Sequence, residues 1–130
     1  MDDRNDYGQE IPAIRVMMMP RDTNAHGTIF GGRILSLIDQ AGAIGALRVG
    51  AQKVVTVAMR EVEFKQPVRV GDIVSCYARV LRRGTTSITT EVIVVAHQPK
   101  HVDAPVEVTR AEVVYVHVDQ DGQTQPLPPA

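Results

Sequence analysis

Only one segment of this chain has the periodicity of a helix, and four consecutive segments of strand composition follow it. That order admits few folds. From Gly31 or Gly32 to Arg48 the apolar residues Ile34, Leu37, Ile38, Ala41, Ile44 and Leu47 recur at helical spacing, and Gly50 supplies a stop. Gly42, Ala43, Gly45 and Ala46 give this helix a small-residue surface, which costs helix propensity but lets another backbone come close. Beyond it, Lys53 to Phe64, Asp72 to Leu81, Thr86 to Ala96 and Glu107 to Val118 are rich in Val, Ile and Thr. Turn signals separate them at Pro67 to Gly71, at Arg83-Gly84 and at Pro99 to Pro105, and the short second link predicts an antiparallel hairpin. Ahead of the helix, Ile14 to Met19 predicts a short strand and Pro20 to Thr28 a structured loop. One strand, one long helix and four strands predict an α+β domain, an antiparallel sheet with a single helix packed on one face. Long strands at a free sheet edge invite pairing with another chain, so a dimer is expected.

The chain has 130 residues, room for one domain and one modest core. That domain is expected over 13–123, between poorly ordered tails at 1–12 and at the proline-containing 124–130. A net charge of -1, two Phe, three Tyr and no Trp provide neither a phosphate-attracting field nor a stacking platform, which argues against nucleic acid. Cys76 is the only cysteine, so no intrachain disulfide forms and a reducing, cytoplasmic setting is expected. It sits on a strand and reads as a buried structural thiol. Met1 to Glu10 has neither the basic start nor the apolar stretch of a signal peptide. The longest apolar segment, Ile34 to Leu47, is too short to span a bilayer and is interrupted by Asp39, so no membrane is expected. His97, His101 and His117 lack the close pairing of a helical metal site, and no metal is expected.

Asp39 is the only ionisable residue between Arg33 and Arg48. It lies more than a turn beyond the helix start, where neither N-capping nor the helix dipole accounts for it, and Asp is a poor interior helix residue. Two readings stand: a solvent-facing residue beside Ser36 and Gln40, or a partly buried carboxylate acting as general base or nucleophile. The loop Asp22-Thr23-Asn24-Ala25-His26-Gly27-Thr28 and the pair Gly31-Gly32 form the second unusual feature. Glycines at a helix start expose backbone N–H groups to a ligand, suited to a carbonyl and the oxyanion that develops from it. The other reading is a turn in which Asp22, Thr23 and Asn24 make local backbone hydrogen bonds.

Met19-Pro20-Arg21-Asp22-Thr23-Asn24-Ala25-His26-Gly27, Ile29-Phe30-Gly31-Gly32 and Ile38-Asp39 followed by Gly42-Ala43 resemble the motifs of YciA-like acyl-CoA thioesterases of the acyl-CoA hydrolase family. Further matches are Val54-Val55-Thr56-Val57, Phe64 with Pro67-Val68, Val70-Gly71-Asp72 and Gly84-Thr85-Thr86-Ser87, in the right order over Ile14 to Val118. The resemblance implies a hotdog fold, an antiparallel sheet wrapped around one long central helix. It also implies a homodimer assembled into a hexamer, a trimer of dimers, with active sites at the dimer interface. The activity it implies is hydrolysis of acyl-CoA to free carboxylic acid and CoA, without a metal or a separate cofactor. Asp39 would be base or nucleophile, and the Gly32 backbone N–H with Asn24 would polarise the thioester carbonyl.

For substrate binding the same resemblance implies Gly31, and Thr56 with Val57 on a strand lining the pantetheine channel. Arg82 and Arg83 ahead of Gly84, Thr85, Thr86 and Ser87 supply charge and donors at a tight turn, a candidate phosphate cradle. His26 stands where relatives commonly carry Asn, and it joins the candidate substrate contacts. Arg33 stands where relatives often have a large apolar residue. A non-catalytic hotdog module that binds acyl-CoA as a sensor or subunit is the alternative function, against which Asp39 and Asn24 together weigh. A dehydratase of the same fold expects a helical His, absent between Gly32 and Gly50.

Overall fold

The computed structural model describes residues 10–99 and 101–129. Most of the tail expected at 1–12 lies outside them. The elements run β1 (Ile14–Met17), a 3-10 turn (Pro20–Asp22), α1 (Gly31–Arg48), β2 (Val54–Phe64), β3 (Ile73–Arg83), β4 (Ser87–Gln98) and β5 (His101–His117). All strands join one antiparallel sheet in the order β1-β3-β4-β5-β2, with α1 on one face, which is the hotdog arrangement. No helix among the described residues is long and apolar enough to cross a membrane.

Helical periodicity located α1 correctly, but its buried stripe is made differently from the expected one. Ile34, Leu37, Ile38, Ala41, Gly42, Gly45 and Ala46 are buried, while Ile44 is only partly covered and Leu47 is exposed. The cause is close approach. A Cβ on Gly45 would come within 2.9 Å of the Ala78 Cβ and 3.2 Å of the Thr90 Cγ2, so the second half of α1 lies directly on β3 and β4. Helix and sheet enclose one core, in which Ile34, Leu37 and Ile38 meet Val74, Cys76, Val92, Val94 and Val113. Each such side chain contributes roughly 1.5–3 kcal/mol by leaving water.

Three expectations about the strands and the C-terminus are corrected. β1 ends at Met17; only Met18 of the three methionines reaches the core, because neighbours on extended backbone point to opposite sides. β5 starts at His101 rather than Glu107, and the loop expected over Pro99 to Pro105 contracts to the link between Gln98 and His101. Pro105 is tolerated because β2 pairs no further than Phe64 with Thr109, so β5 has no ladder on its far side there.

The proline-containing C-terminus, expected as a loose tail, is bound over 124–128. Thr124 bridges to Val118, the Gln125 N–H donates to the His117 carbonyl (2.9 Å), and the Leu127 N–H donates to the Thr85 carbonyl (2.8 Å). Leu127 packs against Ala46, Ala51 and Ile88, an apolar target that composition alone does not reveal.

Candidate functional site

The start of α1 is built by the loop before it. Asp22 is the anchor: its Oδ2 accepts the Met19 N–H (2.8 Å), its carbonyl accepts the Phe30 N–H (2.8 Å), and its Oδ1 faces the Arg33 Nε at 3.2 Å. Arg33 is thereby held as a charge partner of Asp22. The Asn24 Oδ1 accepts the N–H groups of His26 (2.8 Å) and Thr28 (3.3 Å), while its Nδ2 donates to the Thr28 Oγ1 (2.9 Å). Gly27, at φ +84°, closes this turn in the region that favours glycine. Asn24 is therefore the organiser of the loop, with one of its two amide hydrogens still free of the turn. His26 is exposed and contributes its backbone N–H.

The helix starts bare. Its N-cap is Phe30, which offers no side-chain acceptor, and among the described residues no group takes the N–H of Gly31 or Gly32. The Phe30 ring lies against Gly32 so closely that a Cβ there would meet it at 2.4 Å, and Phe64 stands beside Gly31. Both rings are about half exposed, at 58% and 48%. A cavity of about 270 Å³ opens here, lined by Thr28, Ile29, Gly31, Ile34, Phe64 and Pro67 among others. Larger hollows of about 430 and 330 Å³ lie elsewhere, and neither touches Asp39 or the glycine pair.

Asp39 is partly buried on α1 beside the edge strand β2. The Thr56 hydroxyl donates to its Oδ1 at 2.6 Å. The Tyr115 hydroxyl, from β5, donates to the Asp39 carbonyl at 2.6 Å and stands 3.4 Å from Oδ1. Burial first, then the Asp39 charge and hydrogen bond, push the Tyr115 phenol well above the usual tyrosine range, against an opposing pull from the Ala43 N–H. Tyr115 was not found from sequence; a single Tyr in a Val-rich strand looks like core. The glycine at 42 was the available signal, since a Cβ there would sit 2.3 Å from the Tyr115 oxygen.

Asp39 follows Gly32 by seven helical steps, about 10 Å along the axis. That is more than the roughly 6 Å between two groups that each lie about 3 Å from one reacting centre. Val55 (42% exposed) and Val57 (55%) lie on β2, which pairs only with β5 among the described residues. Val57 falls at a bulge between Thr56 and Ala58.

The two arginines expected to hold phosphate go to different places. Arg82 donates to the Glu112 Oε1 (3.0 Å), whereas Arg83 bonds the Pro128 carbonyl and reaches the Val49 carbonyl (3.4 Å). The turn between them and β4 closes through Gly84 N–H to the Ser87 carbonyl (2.8 Å), and the Thr85 and Thr86 carbonyls accept from Leu127 and His117. Cys76 is buried in the core, where burial pushes its thiol up to about 12 despite Arg33 nearby, as fits a structural thiol. Among the described residues no group of His, Cys, Asp or Glu gathers as metal ligands would.

Residues 26–102 match the thioesterase superfamily. The chain is 45% identical over 119 residues to the acyl-CoA thioester hydrolase YciA of Salmonella typhimurium, covering 88% of each chain. Among solved structures, a hexameric hotdog fold thioesterase of Campylobacter jejuni is 45% identical with a TM-score of 0.85, covering 92% of this chain and 91% of that one. An aspartate-to-alanine mutant of a hexameric broad specificity acyl-coenzyme A thioesterase superposes with a TM-score of 0.86 at 38% identity, covering 91% and 86%.

Proposed function

Because the chain belongs to the thioesterase superfamily and is an acyl-CoA thioester hydrolase, we propose that its chemistry runs at a site shared between two protomers, with Asp39 as the reacting carboxylate. The observation that carries this reading is the separation of about 10 Å between Asp39 and the bare Gly31-Gly32 N–H groups, which one helix cannot close. Two copies joined along β2 bring the Asp39 of one toward the helix start of the other. The exposed Val55 and Val57 would be covered in the same step. Further assembly into a hexamer, as in the Campylobacter jejuni protein, belongs to the same reading.

In that site the Gly32 N–H and the spare Asn24 amide hydrogen polarise the thioester carbonyl, beside Gly31 and an exposed His26. As general base, Asp39 takes a proton from water, the water oxygen bonds to the acyl carbon, and the carbon–sulfur bond breaks. The departing thiolate then takes the proton. As nucleophile, an Asp39 oxygen would bond the acyl carbon while the carbon–sulfur bond breaks and the thiolate leaves; water would then split the anhydride into free acid and the restored carboxylate, its released proton going to the thiolate. CoA thiolate is a fair leaving group, so neither route needs a metal or cofactor. Val57 lines the pantetheine channel. Arg82 is the guanidinium for phosphate, since its exposed ion pair with Glu112 contributes only about 0–1 kcal/mol and is readily exchanged. Thr85, Thr86 and Ser87 add hydroxyl donors after Gly84, whereas Arg83 serves the fold. A cytoplasmic setting fits the lone reduced Cys76.

Thiol release from a panel of acyl-CoA esters tests the reading. Asp39→Asn should lower kcat by about a hundredfold to ten-thousandfold. Mixing Asp39→Asn with Asn24→Ala protomers should recover roughly a quarter of wild-type activity, because random pairing leaves one intact site in half of the dimers. No recovery would remove the shared site. Binding of CoA esters by the wild type without thiol release would instead favour a sensor.

A further inference from the structure

The two oxygens of Asp39 stand in different surroundings. Oδ1 accepts the Thr56 hydroxyl at 2.6 Å and has the Tyr115 hydroxyl 3.4 Å away, whereas among the described residues no hydrogen bond reaches Oδ2. The Tyr115 hydroxyl also donates to the Asp39 main-chain carbonyl at 2.6 Å. Its approach depends on the absence of a side chain at Gly42, where a Cβ would lie 2.3 Å from the phenol oxygen and 3.1 Å from the ring. The side chain of Asp39 is thus gripped from β2 and its backbone from β5, two neighbouring strands of the same sheet.

We propose that Tyr115 and Thr56 are positioning residues for the hydrolysis, holding Asp39 by its backbone carbonyl and its Oδ1 so that Oδ2 alone faces water or thioester. The assignment rests on Asp39 being the reacting carboxylate, and it adds which oxygen reacts and what aims it. A carboxylate on a helix rotates about two side-chain bonds; a hydroxyl donated to one oxygen selects one orientation before substrate arrives. Tyr115 is suited to this because it is buried and stays a donor: a phenolate beside Asp39 would repel it. Thr56 suits it for a different reason. It lies on the exposed edge strand, so its hydroxyl can be removed with little effect on the core.

The test compares Tyr115→Phe, Thr56→Val and Thr56→Ser with the wild type and Asp39→Asn in steady-state thiol release. Loss of a hydrogen bond to a charged group predicts kcat lower by about tenfold to a hundredfold in Thr56→Val, with KM held within about twofold. Tyr115→Phe should shift the same parameter in the same direction, and Thr56→Ser should restore it. Should Tyr115→Phe fail to fold, the exposed Thr56 pair decides alone. A raised KM with kcat unchanged would make Thr56 a substrate contact and overturn the proposal. So would full activity in Tyr115→Phe and Thr56→Val beside an inactive Asp39→Asn, a result that leaves the hydrolase reading standing. Full activity in Asp39→Asn would instead remove Asp39 from the reaction and the proposal with it.

Discussion

The two ends of α1 are treated in opposite ways. At its start the N-cap is Phe30, no side chain caps it, two glycines stand in the first turn, and a half-exposed ring lies on each side. At its end the Val49 N–H bonds back to Ala46 (3.3 Å) and the Val49 carbonyl accepts from Arg83 (3.4 Å). The His117 ring ties Gln52 to Pro126 at 3.2 and 3.0 Å, and Leu127 packs against Ala46 and Ala51. A capping acceptor at the start would occupy the N–H groups proposed to polarise a carbonyl. The finished end has no such proposed role, and its contacts tie it to the rest of the fold.

Substitutions at the start should therefore change rate and leave stability nearly alone. Gly32→Pro deletes the N–H in the first turn, where proline is tolerated, while Gly32→Ala puts the same Cβ against the Phe30 ring and keeps the N–H. The proline variant should have kcat about a hundredfold to a thousandfold below the alanine variant, with melting temperatures close together. Equal rates would mean that the bare start polarises nothing. At the other end the effect should reverse: a chain truncated after Gln123 loses the Leu127 packing and the bonds of 124–128, about 2–4 kcal/mol by denaturant unfolding, with kcat unchanged. A fall in kcat without loss of stability would make the C-terminus part of the site.

The smallest effect lies between the ends. Tyr115 is held above the ordinary tyrosine value, so above roughly pH 10 the unfolded chain loses a proton that the folded one keeps. Stability then falls as pH rises, with a slope about 1.4 kcal/mol per pH unit steeper than in Tyr115→Phe. Parallel slopes in denaturant titrations at alkaline pH would show a phenol that ionises freely.

The architecture was legible because α1 and the strands carry strong local patterns, and Asp39 stood out as one charge in an apolar helix. What sequence missed depends on groups far apart in the chain. Tyr115 reaches Asp39 across 76 residues. Thr56, expected to face pantetheine, also donates to Asp39, because β2 runs alongside α1. Arg82 and Arg83 looked like one cradle because they are adjacent, yet one meets Glu112 and the other the chain terminus. The C-terminus looked loose because its prolines were visible and its docking partners, Thr85 and Ala46, were not.

Gly42 leaves only 2.3 Å between a hypothetical Cβ and the Tyr115 oxygen, and this couples the two positions. Alanine at Gly42 requires the phenol to move away or its hydroxyl to be absent, and an alanine already in place would in turn bar the hydroxyl from its present position. Relatives should therefore inherit the two positions together, and Gly42→Ala should cost less in a Tyr115→Phe background than in the wild type, a non-additivity that a double-mutant cycle measures.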